Sequence, residues 1–399
     1  MDSNIKVAFW NLGNLFDTSS SSSVIGSDLE FTPERGWNDA AKDKKIENLA
    51  NVINSLHNDQ GPDLLGLCEI ENEELAKKLI EKMGKQDIYE IAQYTDSPDI
   101  RGIDTCLIYS KKVFKFIDAK SHNIYFRYPT RDIFQVNLSV INNNNSELNV
   151  LVNHWPSRTG GRFETEPLRI AVAENCARAV ESVLKVSLDY LKEMPDNLKE
   201  DKESLAKLNQ KWNKNVLVMG DLNDNPFDRS ILNYLRATPD KNRLIQWKEI
   251  FEHPNLKKWP TNKQTDKHNY LYQPSFLYNC MWDLIPDGTI FFDGGLDLFD
   301  QFIISRGLLN GEQGLKMDLN EIKIDKSTKM SNHILAGNFE PFEPIGQENK
   351  IHPIFKESPM SFEYIKKKVN GEVEKFPAGR DPLTGFSDHF PIQSVINIL

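Results

Sequence analysis

The chain reads as an α/β protein. Short runs rich in Val, Ile, Leu and Phe recur along its 399 residues, and amphipathic helical patterns separate them. No internal repeat and no clear linker divides the sequence, so residues 1–399 read as one domain despite a length beyond the typical single unit.

The candidate strands are Ile5–Trp10, Leu64–Leu67, Thr105–Tyr109, Phe134–Val140, Leu148–Val152, Val216–Met219, Gln301–Ile304 and Ile392–Ile398. Between them, residues 43–57 carry Ile46, Leu49, Ala50, Ile53 and Leu56 at helical spacing. Glu73–Met83 and Pro167–Leu191 show the same pattern, and Pro167 suits a first helical turn. Three stretches read as loops or insertions: Thr18–Gly36 with its serine run, Pro239–Asp287 rich in Pro, Asn, Lys and Trp, and Arg306–Arg380 with several Pro and Gly.

Composition excludes the fibrous, repetitive and wholly disordered classes: 39% of residues are apolar and 27% charged. With 48 basic and 58 acidic residues the net charge is −10, so a polyanion must meet a local basic patch or a bound metal. Cys68, Cys106, Cys176 and Cys280 lie far apart, which excludes a CxxC motif and leaves them as small core residues kept reduced. The start lacks a basic region followed by an apolar stretch, and no run is long enough to span a membrane. A cytoplasmic protein without stable membrane association is expected, a monomer by default, with a signal removed before residue 1 as the alternative.

Five features carry chemistry, each at the end or start of a strand-like run. The first run ends at Asn11, whose amide oxygen suits a hard metal or a neighbouring carboxylate; alone it reads as a turn asparagine. The second runs into Glu69, an oxygen ligand of the kind Mg²⁺ prefers, although a helix-entry glutamate is the alternative and Glu71 fits that better. The third delivers His154, followed by Arg158 and Arg162 about the Gly160-Gly161 pair, which favours an anion site; Trp155 reads as packing. The fourth ends in Gly220-Asp221-Leu222-Asn223. Its glycine permits a sharp turn, Asp221 suits orienting and deprotonating a water, and Asn223 suits donating to a phosphoryl oxygen. Asp224 and Asn225 serve the turn before Pro226. The fifth is Ser387-Asp388-His389 before the last strand, where a protonated His389, oriented by Asp300, would stabilise charge on a phosphoryl group.

Taken in order, Phe9–Phe16, Glu69–Asn72, Arg101–Asp104, Asn153–Arg158, Gly220–Asp224, Asp297–Gln301 and Ser387–His389 resemble the motifs of the endonuclease/exonuclease/phosphatase superfamily, the deoxyribonuclease I and exonuclease III-like proteins. The closest resemblance is to a branch of bacterial nuclease-like proteins, and it runs from Val7 to Ile396. It implies a four-layer α/β/β/α sandwich, two packed mixed sheets flanked by helices. It also implies roles: Asn11 and Glu69 as the metal site with Asp388 ligating directly or through water, Asp221 aligning the nucleophilic water with Asn223 beside it, and His389 oriented by Asp300. His154 resembles the second histidine of the deoxyribonuclease I type, with Asp104 as its carboxylate partner. Asp297 and Asp300 compete for one role, and Asp300 is preferred because it abuts the apolar run Phe302–Ile304. The implied cofactor is Mg²⁺ or Mn²⁺, with Ca²⁺ admissible. The implied activity is hydrolysis of nucleic-acid phosphodiesters with low sequence specificity, with Arg158, Arg162 and Lys257-Lys258-Trp259 as candidate contacts to backbone or base. The alternative is a phosphoesterase for small-molecule or lipid head-group phosphates, which the −10 charge favours. Against it, inositol-phosphatase relatives carry Asn-Tyr-Arg where this chain has Asn223-Asp224-Asn225-Pro226.

Overall fold

The computed structural model describes residues 4–18, 31–33, 36–141, 143, 146–252, 265–329, 358–363, 368–369, 372–373 and 383–399. The strands in chain order are β1 Asn4–Leu15, β2 Leu64–Ile70, β3 Tyr89–Ile91, β4 Asp104–Ser110, β5 Phe114–His122, β6 Ile133–Val140, β7 Glu147–His154, β8 Asn215–Asp221, β9 Ala237–Thr238, β10 Leu277–Asn279, β11 Ile290–Phe292, β12 Gly295–Asp297, β13 Asp300–Ile304, β14 Leu315–Ile324, β15 Lys368–Val369, β16 Glu372–Val373 and β17 Ile392–Ile398. The helices are α1 Asp39–Asp59, α2 Glu73–Lys82, α3 Arg162–Leu184, α4 Leu188–Glu193, α5 Lys202–Trp212, α6 Trp247–Glu252, α7 Asp266–Tyr272 and α8 Arg306–Asn310.

Two mixed sheets form, in the orders β14-β17-β1-β2-β4-β3 and β5-β6-β7-β8-β13-β10-β9. Strand alternation assigns each side chain to a layer. Val7 and Phe9 of β1, Val150 and Val152 of β7, Leu217 and Met219 of β8, and Phe302 and Ile304 of β13 meet in one core between the sheets. The opposite phase of β1, Ala8 and Trp10, packs with Ile46, Leu49 and Ile53 of α1 and Leu75 and Leu79 of α2. Leu151, Val216, Val218 and Ile303 of the second sheet pack against Val172 and Val180 of α3, Trp212 of α5, Trp247 of α6 and Tyr270 of α7. The expected four-layer sandwich is the one that forms.

Several elements differ from the sequence expectation. The helix expected from Pro167 begins at Arg162, so Pro167 stands inside α3, and Leu191 belongs to the separate α4. β5 and β14 escape a search for apolar runs because polar and charged residues interleave their apolar ones, and both lie at sheet edges. The stretch 239–287 holds α6, α7 and β10, and 306–380 holds α8 and β14. Lys257-Lys258-Trp259 and residues 19–30 lie outside the described residues. All four cysteines are buried and free. No helix among the described residues is long and apolar enough to cross a membrane.

Candidate active site

At one end of the sandwich the alternation that fills the inter-sheet core continues into polar residues. In β1, Val7 and Phe9 are followed on the same face by Asn11; in β7, Val150 and Val152 by His154; in β8, Leu217 and Met219 by Asp221. β13 runs the other way, so Asp300 precedes Phe302 and Ile304. Register then brings three of these into one lateral row, His154 opposite Asp221 and Asp221 opposite Asp300. Gly220 allows this close pairing, because a Cβ there would collide with the Asn153 carbonyl.

Asp221 is the centre of the row. Its Oδ2 accepts from Asn11 Nδ2 (3.0 Å) and lies 3.7 Å from His389 Nε2 and 3.8 Å from His154 Nε2. Its Oδ1 accepts from the Asn223 N–H (2.9 Å). Burial is the main force pushing its pKa up to about 7; Asp300 and Glu69 add to the rise and His389 opposes it.

His389 reaches the row from the segment before β17. Asp300 Oδ2 stands 2.7 Å from its Nδ1, and the Trp10 indole donates to its carbonyl (2.9 Å). Burial opposes the charged ring, but Asp300 and Asp221 hold its pKa well above the ordinary histidine value. His154 is driven the other way, by burial first and then by Arg131, Arg101 and His389. Of the competing acids, Asp300 stands against the imidazole, whereas Asp297 accepts from Asn225 Nδ2 and faces Arg158.

Glu69 reaches the cleft through a β-bulge. The β2–β4 register shifts between Cys68 and Ile70, and Glu69 takes a left-handed φ of 62°. Cys68 packs in the inter-sheet core and Ile70 in the helix-side core, so Glu69 is the extra residue that belongs to neither face. Such a φ is unfavourable for a long side chain, and the surroundings hold it. Glu69 Oε2 accepts from the Asn14 N–H (2.7 Å) and Oε1 from Asn11 Nδ2 (3.2 Å), with His154 Nε2 3.5 Å away. Asn11 faces its nitrogen to Glu69 and Asp221 while its Oδ1 accepts from the Gly13 N–H (2.9 Å), so here it bridges two carboxylates as a donor. Asp388 is exposed beside this turn. A Cβ on Gly13, whose φ is 61°, would meet its Oδ1 at 2.9 Å.

These groups open into one cleft of about 490 Å³ that includes Asn14, Glu69, Asp221, Asn223, Asp388 and both histidines. Its walls hold side chains the sequence reading did not assign: Arg101, Arg131, Phe126, Tyr128 and Phe292. Arg101 lay inside a motif already singled out, Arg101–Asp104, and that was the available signal. Lys45 of α1 is another omission. Its buried ammonium donates to the carbonyls of Gly13 and Asn14 and pins their turn; burial lowers its pKa to about 8 while Asp388 and Glu69 pull against that.

Three expected contacts take a different form. Arg158 is buried, bonded to Asp224, Asp228 and the Asn223 carbonyl, and stacked 4.6 Å from the Phe299 ring, so its guanidinium is held inside the protein. Arg162 pairs with Asp228 (2.6 Å) at the surface and does not line the cleft. Asp104 does not bond His154. It shares a phase with Cys106 and Ile108, which face the helical layer, and its oxygens accept from the Tyr94 hydroxyl (2.9 Å) and the Ser97 N–H (2.9 Å). Asn223 directs its Nδ2 to the Trp155 carbonyl (3.0 Å), which leaves one amide proton for another acceptor.

Residues 6–191 match the profile of a family described as the Endonuclease/Exonuclease/phosphatase family. No curated protein matches the sequence. Among solved structures, the chain is similar to a truncated TDP2 from Caenorhabditis elegans, at 13% identity over 99% of this chain and 98% of that one, TM-score 0.44. It is similar to an endonuclease/exonuclease/phosphatase family protein from Bacteroides thetaiotaomicron, at 11% identity over 99% and 98%, TM-score 0.47. It is also similar to the human Nocturnin catalytic domain with bound sulfate, at 12% identity over 100% and 96%, TM-score 0.44.

Proposed function

We propose, from the match of residues 6–191 to the profile of the endonuclease/exonuclease/phosphatase family, that the chain hydrolyses phosphodiester bonds of nucleic acid with the help of a divalent cation. The observation that carries the reading is the convergence of Asp221, Glu69 and His389 in a single cleft, with buried Asn11 and Asp300 bonded to them from behind.

A phosphodiester is anionic and repels nucleophiles, so its hydrolysis needs an aligned water and neutralised charge. Asp221 is placed to orient that water and take its proton, and a carboxylate with a pKa near 7 is suited to a base at neutral pH. His389, kept protonated by Asp300 and Asp221, directs Nε2 toward the same space and donates to a phosphoryl oxygen. Asn223 supplies its remaining amide proton, and His154 closes the other side of Asp221. Asn11 holds Glu69 and Asp221 at fixed separation.

The donor set fits a hard cation. Glu69 and Asp388 present carboxylate oxygens to the cleft, and among the described residues no three His, Cys, Asp or Glu side chains are grouped to hold a metal ion, so a cation there would rest on two carboxylates and water. Two carboxylates with the remaining positions left to water is the pattern Mg²⁺ accepts and a structural zinc site does not. A divalent cation there would neutralise the scissile phosphate and stabilise the leaving oxygen.

The cleft walls favour a nucleic acid over a compact phosphate. Tyr128, 65% exposed, stands with Phe126 and Phe292 beside Arg101, so ring faces for bases lie next to a guanidinium for backbone, while Arg131 is buried and bonded to Asp99 and to the His154 and Trp155 carbonyls. This local arrangement offsets the overall charge of −10.

Supercoiled DNA, single-stranded DNA, RNA and small phosphomonoesters, each incubated with Mg²⁺ or Mn²⁺ and with or without chelator, test the proposal. Cation-dependent cleavage of a polynucleotide is expected, with Asp221→Ala and His389→Ala each about 10²–10⁴-fold slower. Wild-type turnover in both variants overturns the assignment, and turnover of the small esters alone overturns the substrate class.

A further inference from the structure

We propose that Asp132 is the carboxylate that positions His154, a role that rests on the phosphodiesterase reading above. Its first support is register. Strands β6 and β7 run antiparallel and their pairing ends at Phe134 opposite Val152; the same register extended by two residues would set Asp132 opposite His154. The strands stay together at that point, because Arg131 donates to the carbonyls of His154 (3.2 Å) and Trp155 (3.1 Å). Opposed residues of this kind have Cα atoms roughly 4.5–5.5 Å apart.

The second support is the shared face. Phe134 and Val136 lie in the inter-sheet core with Val150 and Val152. His154, two residues beyond Val152, continues that phase into the cleft, and Asp132, two residues before Phe134, would share it on the extended register.

The third support is a complementary pair of orphans. Asp132 Oδ2 and His154 Nδ1 are both buried, and neither has a hydrogen-bond partner among the described residues. Buried polar atoms rarely stay unpaired, and a ring N–H and a carboxylate oxygen satisfy one another. A turn of the Asp132 side chain, or one bridging water, joins them. The acid first expected in this role, Asp104, already gives both its oxygens to Tyr94 and Ser97.

The pairing fixes the ring. With Nδ1–H given to Asp132, Nε2 faces Glu69 (3.5 Å) and Asp221 (3.8 Å), so the second histidine is held from behind as Asp300 holds His389.

The test reads the ring itself. In ¹⁵N-labelled protein, the His154 nitrogens are assigned by the signals that vanish in His154→Ala. Nδ1 is expected to be protonated and hydrogen-bonded in the wild type. Asp132→Ala shifts that proton away from Nδ1, Asp132→Asn retains it in part through its amide oxygen, and Asp104→Asn changes nothing. An unchanged ring in Asp132→Ala, or an altered one in Asp104→Asn, overturns the proposal. These spectra are taken on the resting protein, so they decide the pairing even if no polynucleotide is cut. In turnover of a diester, Asp132→Ala and His154→Ala are each expected to lower kcat about ten- to a hundredfold with KM little changed. The double variant should be no slower than His154→Ala, and multiplying losses overturn the coupling. Should Asp132→Ala fail to fold, Asp132→Asn carries the same comparisons.

Discussion

At the scale of single residues, charge state and burial make the sharpest predictions. The base proposed, Asp221, would act only when ionised, and burial pushes its pKa up to about 7, so the rate is expected to rise with pH through about 7 and level above it. A bound cation favours the carboxylate and moves this limb to lower pH, never higher. The rate falls again only at alkaline pH, where His389, held well above the ordinary histidine value, loses its proton. A rate that climbs as pH drops below neutrality contradicts the assignment. Arg158 makes a different prediction. Arg158→Met leaves buried Asp224 to Arg169 alone and Asp228 to the half-exposed Arg162, which costs at most about 3–5 kcal/mol in denaturant unfolding. Arg162→Met removes a half-exposed ion pair and costs about 0–1 kcal/mol. A stable Arg158→Met protein with a raised KM would return that residue to the substrate.

At the scale of elements, the site is the point where each strand runs out of apolar residues. That is why most of it was legible: a run such as Val216–Met219 followed by Gly-Asp shows both the strand and the group it delivers. His389 and Asp300 were readable in the same way from the strands they precede. Three things were not. Phase decides whether an end residue faces the cleft: the bulge at Glu69 resets it in β2, whereas in β4 Asp104 keeps the phase of Cys106 and Ile108 and points into the helical layer. Cross-chain pairing absorbs charges that look free in sequence, as Asp224 and Asp228 absorb Arg158. Lys45 sits on a helix whose spacing marks a core face, and nothing local distinguishes it from a surface lysine. The tight contact of β7 with β8 gives an element-level prediction. Gly220→Ala presses a methyl group against the Asn153 carbonyl, so it costs roughly 1–3 kcal/mol of stability and separates His154 from Asp221. Turnover should fall more than the folded fraction does, and a fully active Gly220→Ala protein would show that this spacing is not critical.

At the scale of the whole molecule, the cleft is a seam: Asn11 and Glu69 come from one sheet, and His154, Asp221 and Asp300 from the other. Packing between the sheets therefore sets distances within the site. Gly66 of β2 lies against Met219 of β8 and Phe9, so Gly66→Val forces the layers apart at a place that touches no site residue directly. We expect such a variant to keep its secondary structure by circular dichroism, lose stability on the order of 1–3 kcal/mol, and lose activity. Retained activity with lost stability would mean that the seam adjusts without altering the chemistry.

The position of β17 has a consequence for biosynthesis. This strand is inserted between β14 and β1, and the segment leading into it brings His389, with the Ser387 hydroxyl fastened to the carbonyl of Asn11. Synthesis must therefore pass residue 389 before the proposed site is complete: a nascent or truncated polypeptide ending ahead of residue 387 holds Asp221 but lacks the imidazole that answers it. If the chain is the hydrolase proposed above, its reactivity is withheld until translation delivers the strand that lies between β14 and β1.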